Sequence, residues 1–209
     1  MIDIILPENR FAFARALLEM HRDRKHVFVD RLRWALPSRE SWLEVDEFDS
    51  DHAVYLLARE PKTGSHQGSV RLLPSTRPHV LGSVFPSLCA DGVPVGPDCW
   101  EISRFLASPA ERSGTALVRV HRLLALALVE FALLNDIRTY SLVVEFNRVP
   151  ALLSIGWDVR PLGLPNCCGG EQLQALQIII GDDALSSVQR KLGIEGPVLR
   201  SPALLLRAA

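Results

Sequence analysis

Neither sign of charge dominates this chain: 23 Lys and Arg stand against 24 Asp and Glu in 209 residues, a net charge of −1. Without a basic excess, no electrostatic footprint for nucleic acid or an anionic membrane surface is present. Cysteine is scarce. Four are scattered as Cys89, Cys99 and the adjacent pair Cys167-Cys168, with no C-x-x-C spacing. That excludes a disulfide framework and a closed zinc site, and no metal is expected. Long apolar runs are missing too. The most apolar stretch, Leu123 to Leu134, is interrupted by Glu130 and is too short to span a bilayer. Asp3, Glu8 and Arg10 break any apolar run at the start, so no signal peptide is expected and reduced thiols in a cytoplasm are. His52, His66, His79 and His121 have no Ser or Cys at triad-like positions and read as turn or helix-face residues.

What the chain does have is core: 48% of its residues are hydrophobic and 22% charged, enough for one sizeable interior with a solvated surface. Met1–Leu6 reads as a strand. Pro7-Glu8-Asn9 turns it into a helix running from about Asn9 toward Arg24 or beyond, because Phe13, Leu17 and Met20 recur at helical spacing. From Phe28 to Asp51 the period is lost, which reads as an irregular loop carrying side chains. Strands are expected at Ala53–Arg59, Ser69–Leu73, Cys99–Leu106, Tyr140–Phe146, Trp157–Leu162 and Leu173–Ile180. Helices are expected at Ala116–Asn135, capped by Ser113-Gly114-Thr115, at Asn147–Ile155 and at Asp182–Leu192. Cys167-Cys168 is assigned to a loop. Strands and helices alternate without repeat or linker, which points to one α/β domain over residues 1–195. It is a three-layer αβα sandwich with a mixed twisted sheet, followed by a poorly ordered tail at 196–209.

Chemistry-bearing residues come in a fixed order. Arg24, Phe28 and Trp34 form R-x3-F-x5-W, and Glu44 to Asp49 reads E-x-D-x-F-D with Asp46 inside it. Gly68-x-x-Arg71-Leu72-Leu73-Pro74, Phe85-Pro86-x-Leu88 and Glu101-Ile102-Ser103-Arg104-Phe105 follow. Each is weak alone. In this order and spacing they resemble the acyl-homoserine-lactone synthase (LuxI-type) family over most of the first half of the chain. Asn135-Asp136-Ile137 and Gly156-Trp157-Asp158-Val159-Arg160-Pro161-Leu162-Gly163 extend the likeness.

The resemblance implies a fold similar to the Gcn5-related N-acetyltransferases, with the strands at Cys99–Leu106 and Tyr140–Phe146 splayed around the pantetheine arm of a thioester. It implies an acyltransferase that joins an acyl group to S-adenosylmethionine, closes an N-acyl-homoserine lactone used in quorum sensing, and releases methylthioadenosine. S-adenosylmethionine is then a substrate, no cofactor is required, and the donor is acyl-coenzyme A or an acyl carrier protein. The turn Glu111-Arg112-Ser113-Gly114-Thr115-Ala116 keeps the Gly-x-Ala of a pyrophosphate cradle, but Glu111 replaces the usual Gln or Arg.

The residue types suit that substrate. Phe28 and Trp34 can offer aromatic faces to a sulfonium and an adenine, and Asp46 and Asp49 can bind cationic groups. Arg24, Arg71 and Arg104 can pair with those acids or with the substrate carboxylate, and Ser103 and Phe105 complete the substrate set. Glu101 and Arg104 are the catalytic candidates, with Glu101 accepting the amine proton directly or through a water. Phe85, Leu142, Val144 and Phe146 are expected to line the acyl pocket. Family members selecting 3-oxo chains resemble one another in a Thr on this strand. Val144 stands there, beside Leu142, and neither donates a hydrogen bond. An unsubstituted, branched, hydroxy- or aryl-acyl chain is therefore expected instead. Two competitors stand beside this reading: an N-acyltransferase of the same fold acting on another small amine, and a non-catalytic ligand-binding member. A bare structural ion network is the bland account of the charged set.

Overall fold

The chain opens on Ile2-Asp3-Ile4-Ile5, whose β-branched side chains suit a buried strand, β1 (Ile2–Ile5). In the computed structural model, which describes residues 1–34, 42–110 and 113–200, Pro7 starts a 3-10 turn that leads into α1 (Ala14–Arg24). The helix does not stop at Arg24. It continues through Lys25–Arg31 in wider π-type turns, so Phe28 stands on helix rather than in the expected loop. Arg33, in the left-handed region at φ 61°, ends it, and the Trp34 amide then donates back to the Phe28 carbonyl at 2.9 Å.

β2 (Val54–Arg59), β3 (His66–Pro74), β4 (Cys99–Ala107) and α3 (Gly114–Leu134) lie close to their expected places. Between β3 and β4 the structure adds α2 (Val80–Val84), which periodicity over so few residues does not announce. Ser113 caps α3 by accepting the Ala116 amide at 3.0 Å. β5 (Thr139–Glu145), α4 (Val149–Leu153), β6 (Asp158–Pro161), β7 (Asn166–Cys168), β8 (Glu171–Ile179) and α5 (Ala184–Leu192) complete the order. The expected Cys167-Cys168 loop is strand β7. The Gly169-Gly170 turn, with both φ positive at 62° and 89°, folds it back onto β8 as a tight hairpin.

This is an α/β fold with an open mixed sheet, and its contacts gather into two compact units. Among the described residues the first holds those of 1–71, 104–127 and 197–200, with strand order β1-β2-β3-β4. Here β1 pairs antiparallel with β2, Ile5 opposite Tyr55. Part of the expected tail, Val198 to Arg200, lies along β1. The Ile2 amide donates to Val198, the Arg200 amide donates to Ile2, and Val198 and Leu199 are buried. Two apolar side chains beside a strand edge gain more from burial than they lose in chain freedom. Residues 201–209 lie outside the described part.

The second unit holds residues 72–103 and 128–196, with strand order β3-β4-β5-β8-β6 and β7 on β8. The β4–β5 ladder is parallel and covers Cys99–Ile102 against Thr139–Leu142, while β5 runs on to Glu145 along antiparallel β8. No described helix is long and apolar enough to cross a membrane.

Candidate functional site

In the first unit, three arginines from three elements converge on three carboxylates from one loop. Arg24, at the end of α1, reaches Glu44 through Nε and grips Asp49 as a fork, with Nη1–Oδ1 at 2.7 Å and Nη2–Oδ2 at 2.9 Å. Arg71 on β3 forks onto Asp46 at 2.5 and 3.1 Å and approaches Asp49 at 3.0 Å. Arg104 on β4 donates from Nε and Nη2 to Glu44 at 3.1 and 2.9 Å, and from Nη2 to Asp46 at 2.7 Å. Planar guanidinium forks match carboxylates in this way, which lysine could not do. Opposite charges balance within the set. The side chains of Arg24, Arg71, Glu44, Asp46 and Asp49 are almost wholly buried.

The loop that carries the acids is organised by the acids themselves. The Phe48 amide donates to Asp46 and the Asp46 amide to Asp49, both at 2.9 Å. Burial alone would raise the Glu44 carboxyl, but Arg24 and Arg104 outweigh it and hold it below the carboxylate range. Asp49 is likewise depressed, Arg24 and Arg71 overcoming its burial. Tyr55 on β2 donates its hydroxyl to Asp49 at 2.8 Å, and burial together with that carboxylate raises the phenol. His21 meets the Glu44 carbonyl at 2.9 Å, and burial followed by Arg24 lowers its imidazole. Sequence reading passed over Glu44, Tyr55 and His21 as site residues. Glu44 could have been picked out by its i, i+2 spacing from Asp46. Tyr55 and His21 carry no such signal.

The aromatic pair sits against this network. Phe28 and Trp34 stack on each other, centroids 4.8 Å apart and planes 23° apart, and the Arg104 guanidinium lies 5.5 Å over Phe28. Val27, Leu32 and Leu106 pack around them. Phe105 does not join the set, because neighbouring residues on a strand face opposite ways. Its ring lies 5.5 Å from His121 of α3.

The second unit holds the remaining candidates. Glu101 is buried under α2 and accepts the amides of Val80 at 3.1 Å and Leu81 at 2.5 Å. Those bonds explain why so short a helix forms. Ser103 is half-buried on β4, two residues on. Phe85 packs with Val143, Leu162, Leu173 and Cys168 on a cluster of Leu81, Leu88, Cys89 and Ala175. Gly163 closes that cluster: a Cβ there would lie 2.3 Å from the Leu88 carbonyl oxygen, so only glycine lets the two segments meet. Leu142 and Val144 share the other face of β5 with Tyr140, whose hydroxyl donates to the Leu128 carbonyl of α3 at 3.0 Å. The structure thus brings Phe85 to Val143 rather than to Leu142 and Val144. Phe146 lies just past β5 and is half exposed.

Known proteins share this pattern. Residues 11–188 match the model of the autoinducer synthase family. An acyl-homoserine-lactone synthase of Ralstonia solanacearum is 37% identical over 188 residues, 85% of this chain and 89% of that protein. An isovaleryl-homoserine lactone synthase of Bradyrhizobium diazoefficiens is 32% identical over 197 residues, 93% of this chain and 86% of that one. Among solved structures, the CoA-dependent synthase BjaI, with SAM and isopentyl-CoA, superposes at a TM-score of 0.86 with 31% identity, covering 96% of this chain and 92% of that one. MesI, also CoA-dependent, reaches 0.84 with 30% identity, over 96% and 100%. An acyl-CoA N-acyltransferase of Pseudomonas aeruginosa, 16% identical, shares the fold at 0.59 over 85% and 97%. The chain therefore belongs to the autoinducer synthase family and is an acyltransferase of the acyl-homoserine-lactone synthase class.

Proposed function

We propose that the protein transfers an acyl group from acyl-coenzyme A to the amine of S-adenosylmethionine, then closes the homoserine lactone and releases methylthioadenosine. The observation that carries this reading is the buried, charge-balanced set of Arg24, Arg71, Arg104, Glu44, Asp46 and Asp49 beside the Phe28–Trp34 stack. Buried ion pairs seldom add stability over apolar packing, so so large a set favours a binding role over the bare structural account. With acids and arginines matched, the set can hold a zwitterionic substrate by local rearrangement, and the aromatic pair can take its sulfonium or adenine.

Glu101 is the base in this reading. Its two α2 amide bonds orient the carboxylate. An α-amino group near pKa 7.7–8.0 needs only a weak acceptor, reached through a water. A main-chain N–H of β4 near Ser103–Phe105 serves the oxyanion. Lactone closure needs little more than folding the methionyl chain so that its carboxylate attacks the γ-carbon, since the sulfonium leaves readily.

Coenzyme A as donor is supported by the likeness to BjaI and MesI over nearly the whole chain. A short branched or aryl acyl group, not a 3-oxo one, is supported by the isovaleryl relative and by Leu142 and Val144, which donate no hydrogen bond. Incubating the pure protein with S-adenosylmethionine and a panel of acyl-CoA and acyl-carrier-protein donors tests it by mass spectrometry. Acyl-homoserine lactone and methylthioadenosine should appear in equal amounts, faster from coenzyme A. Acylated amine without methylthioadenosine would point instead to another N-acyltransferase reaction.

A further inference from the structure

Arg104 stands in the left-handed region at φ 52°, inside strand β4. The other described non-glycine residues with positive φ, Arg33 and Asp136, follow helix ends, where such a conformation is ordinary. Within a strand it is not, and a long L side chain opposes it. Two residues earlier, at Ile102, the ladder between β4 and β5 ends. Strand, kink and ladder end therefore fall within one short stretch.

The side chain shows what holds the kink. The guanidinium makes three hydrogen bonds to Glu44 and Asp46, lies over the Phe28 ring, and is 8% exposed. Three of its five N–H donors, those on Nε and Nη2, are committed to two carboxylates of the protein, which anchors the side chain from outside the strand. We propose that Arg104 is a positioning residue that acts through its own main chain. The Glu44–Arg104–Asp46 clamp fixes a left-handed kink in β4, and that kink sets the main-chain N–H against which the acyl-thioester carbonyl lies. The inference rests on the synthase reading above. It makes the acid loop serve both substrates: its carboxylates face the amine donor's site and, through Arg104, shape the seat of the acyl donor.

Glycine and alanine at this position separate a main-chain role from a charge role. Both remove the guanidinium, but only glycine adopts a left-handed φ without steric cost. Steady-state kinetics of the full chain would give KM for acyl-CoA and for S-adenosylmethionine separately. Arg104→Ala should raise the acyl-CoA KM about tenfold more than Arg104→Gly does, on the scale of the left-handed penalty for an L residue. Any change in the S-adenosylmethionine KM should be the same in both. Equal acyl-CoA KM values in the two variants would overturn the proposal and return Arg104 to direct contact with substrate. If the alanine variant does not fold, Arg104→Asn replaces it, since asparagine tolerates the left-handed region less well than glycine. Glycine should then lie nearer wild type, and equality again overturns the idea. A wild-type protein that makes no acyl-homoserine lactone from any donor would instead defeat the synthase reading itself.

Discussion

Trp34 lies flat on Phe28 because Arg33, between the helix end and Trp34, takes a left-handed backbone that turns the chain back on itself. Arg33→Gly removes a steric cost of about 1–2 kcal/mol and should raise the thermal midpoint without moving the KM for S-adenosylmethionine. Trp34→Ala should act the opposite way. Losing an aromatic pair interaction of roughly 0.5–1.5 kcal/mol corresponds to about a 2- to 10-fold weaker hold on S-adenosylmethionine, with modest change in stability. Calorimetric titration with methylthioadenosine checks it, and unchanged affinity would remove Trp34 from the substrate site.

Glu44→Gln should be the most destabilising single change in the acid loop. It leaves Arg24 and Arg104 buried with one partner neutralised, for which about 3–5 kcal/mol is the expected loss. Tyr55→Phe removes only the hydroxyl that donates to Asp49, a charged acceptor, and should cost about 1.5–3 kcal/mol. Urea unfolding of both variants ranks them. A Tyr55→Phe loss as large as that of Glu44→Gln would mean the phenol organises more of the loop than one bond suggests.

Glu101→Gln tests two roles at once. A Gln amide presents an NH2 where the carboxylate accepts an α2 amide, so α2 should loosen by about 1–3 kcal/mol. Turnover should fall on the order of 10²-fold if Glu101 takes the amine proton. If the variant loses stability but keeps full kcat, Glu101 only holds α2.

Acidification should lower the stability of the protein in two stages. His21 has its folded pKa lowered, by burial first and then by Arg24, so the unfolded chain takes up that proton more readily. Its contribution is lost as pH falls below about 6.5, the ordinary histidine value. Glu44 and Asp49 are held below the carboxylate range, so their contribution is complete above roughly pH 4.3 and is lost below it. Denaturant midpoints between pH 7 and 3.5 would show both steps. His21→Gln should flatten the first step and leave the second.

Acyl choice separates the two faces of β5. Val144→Thr and Val143→Thr each add a hydroxyl at similar volume, but only Val143 shares the apolar cluster with Phe85. Burying a keto oxygen without a partner costs about 1–3 kcal/mol, so the threonine that meets the chain should narrow the preference for plain over 3-oxo donors by roughly 10- to 100-fold. The measurement is kcat/KM for a matched donor pair. A response at Val144 alone places the chain on the Leu142 side, and a response at Val143 alone places it against Phe85. No response in either variant would move selection off this strand. A wild type that already prefers the 3-oxo donor would refute the expected acyl class.

The sequence by itself determined the family signature and most of the sheet. R-x3-F-x5-W, E-x-D-x-F-D, Arg71 and E-I-S-R-F were legible because their order and spacing resemble those of one family. The β-branched runs likewise announced β1 and β5, since local propensity and burial agree there. Only the tertiary structure decided how these groups face one another. α2 forms because Glu101, 20 residues away from Leu81, supplies its amides with an acceptor. β7 forms because two consecutive glycines allow the turn onto β8, and Val198–Arg200 finds its hydrogen bonds on Ile2 of β1. Which neighbours Phe105 and Val144 meet was hidden for a related reason. The period of a strand says that neighbours face opposite ways, but which face meets Phe28, Phe85 or α3 depends on elements packed from far along the chain.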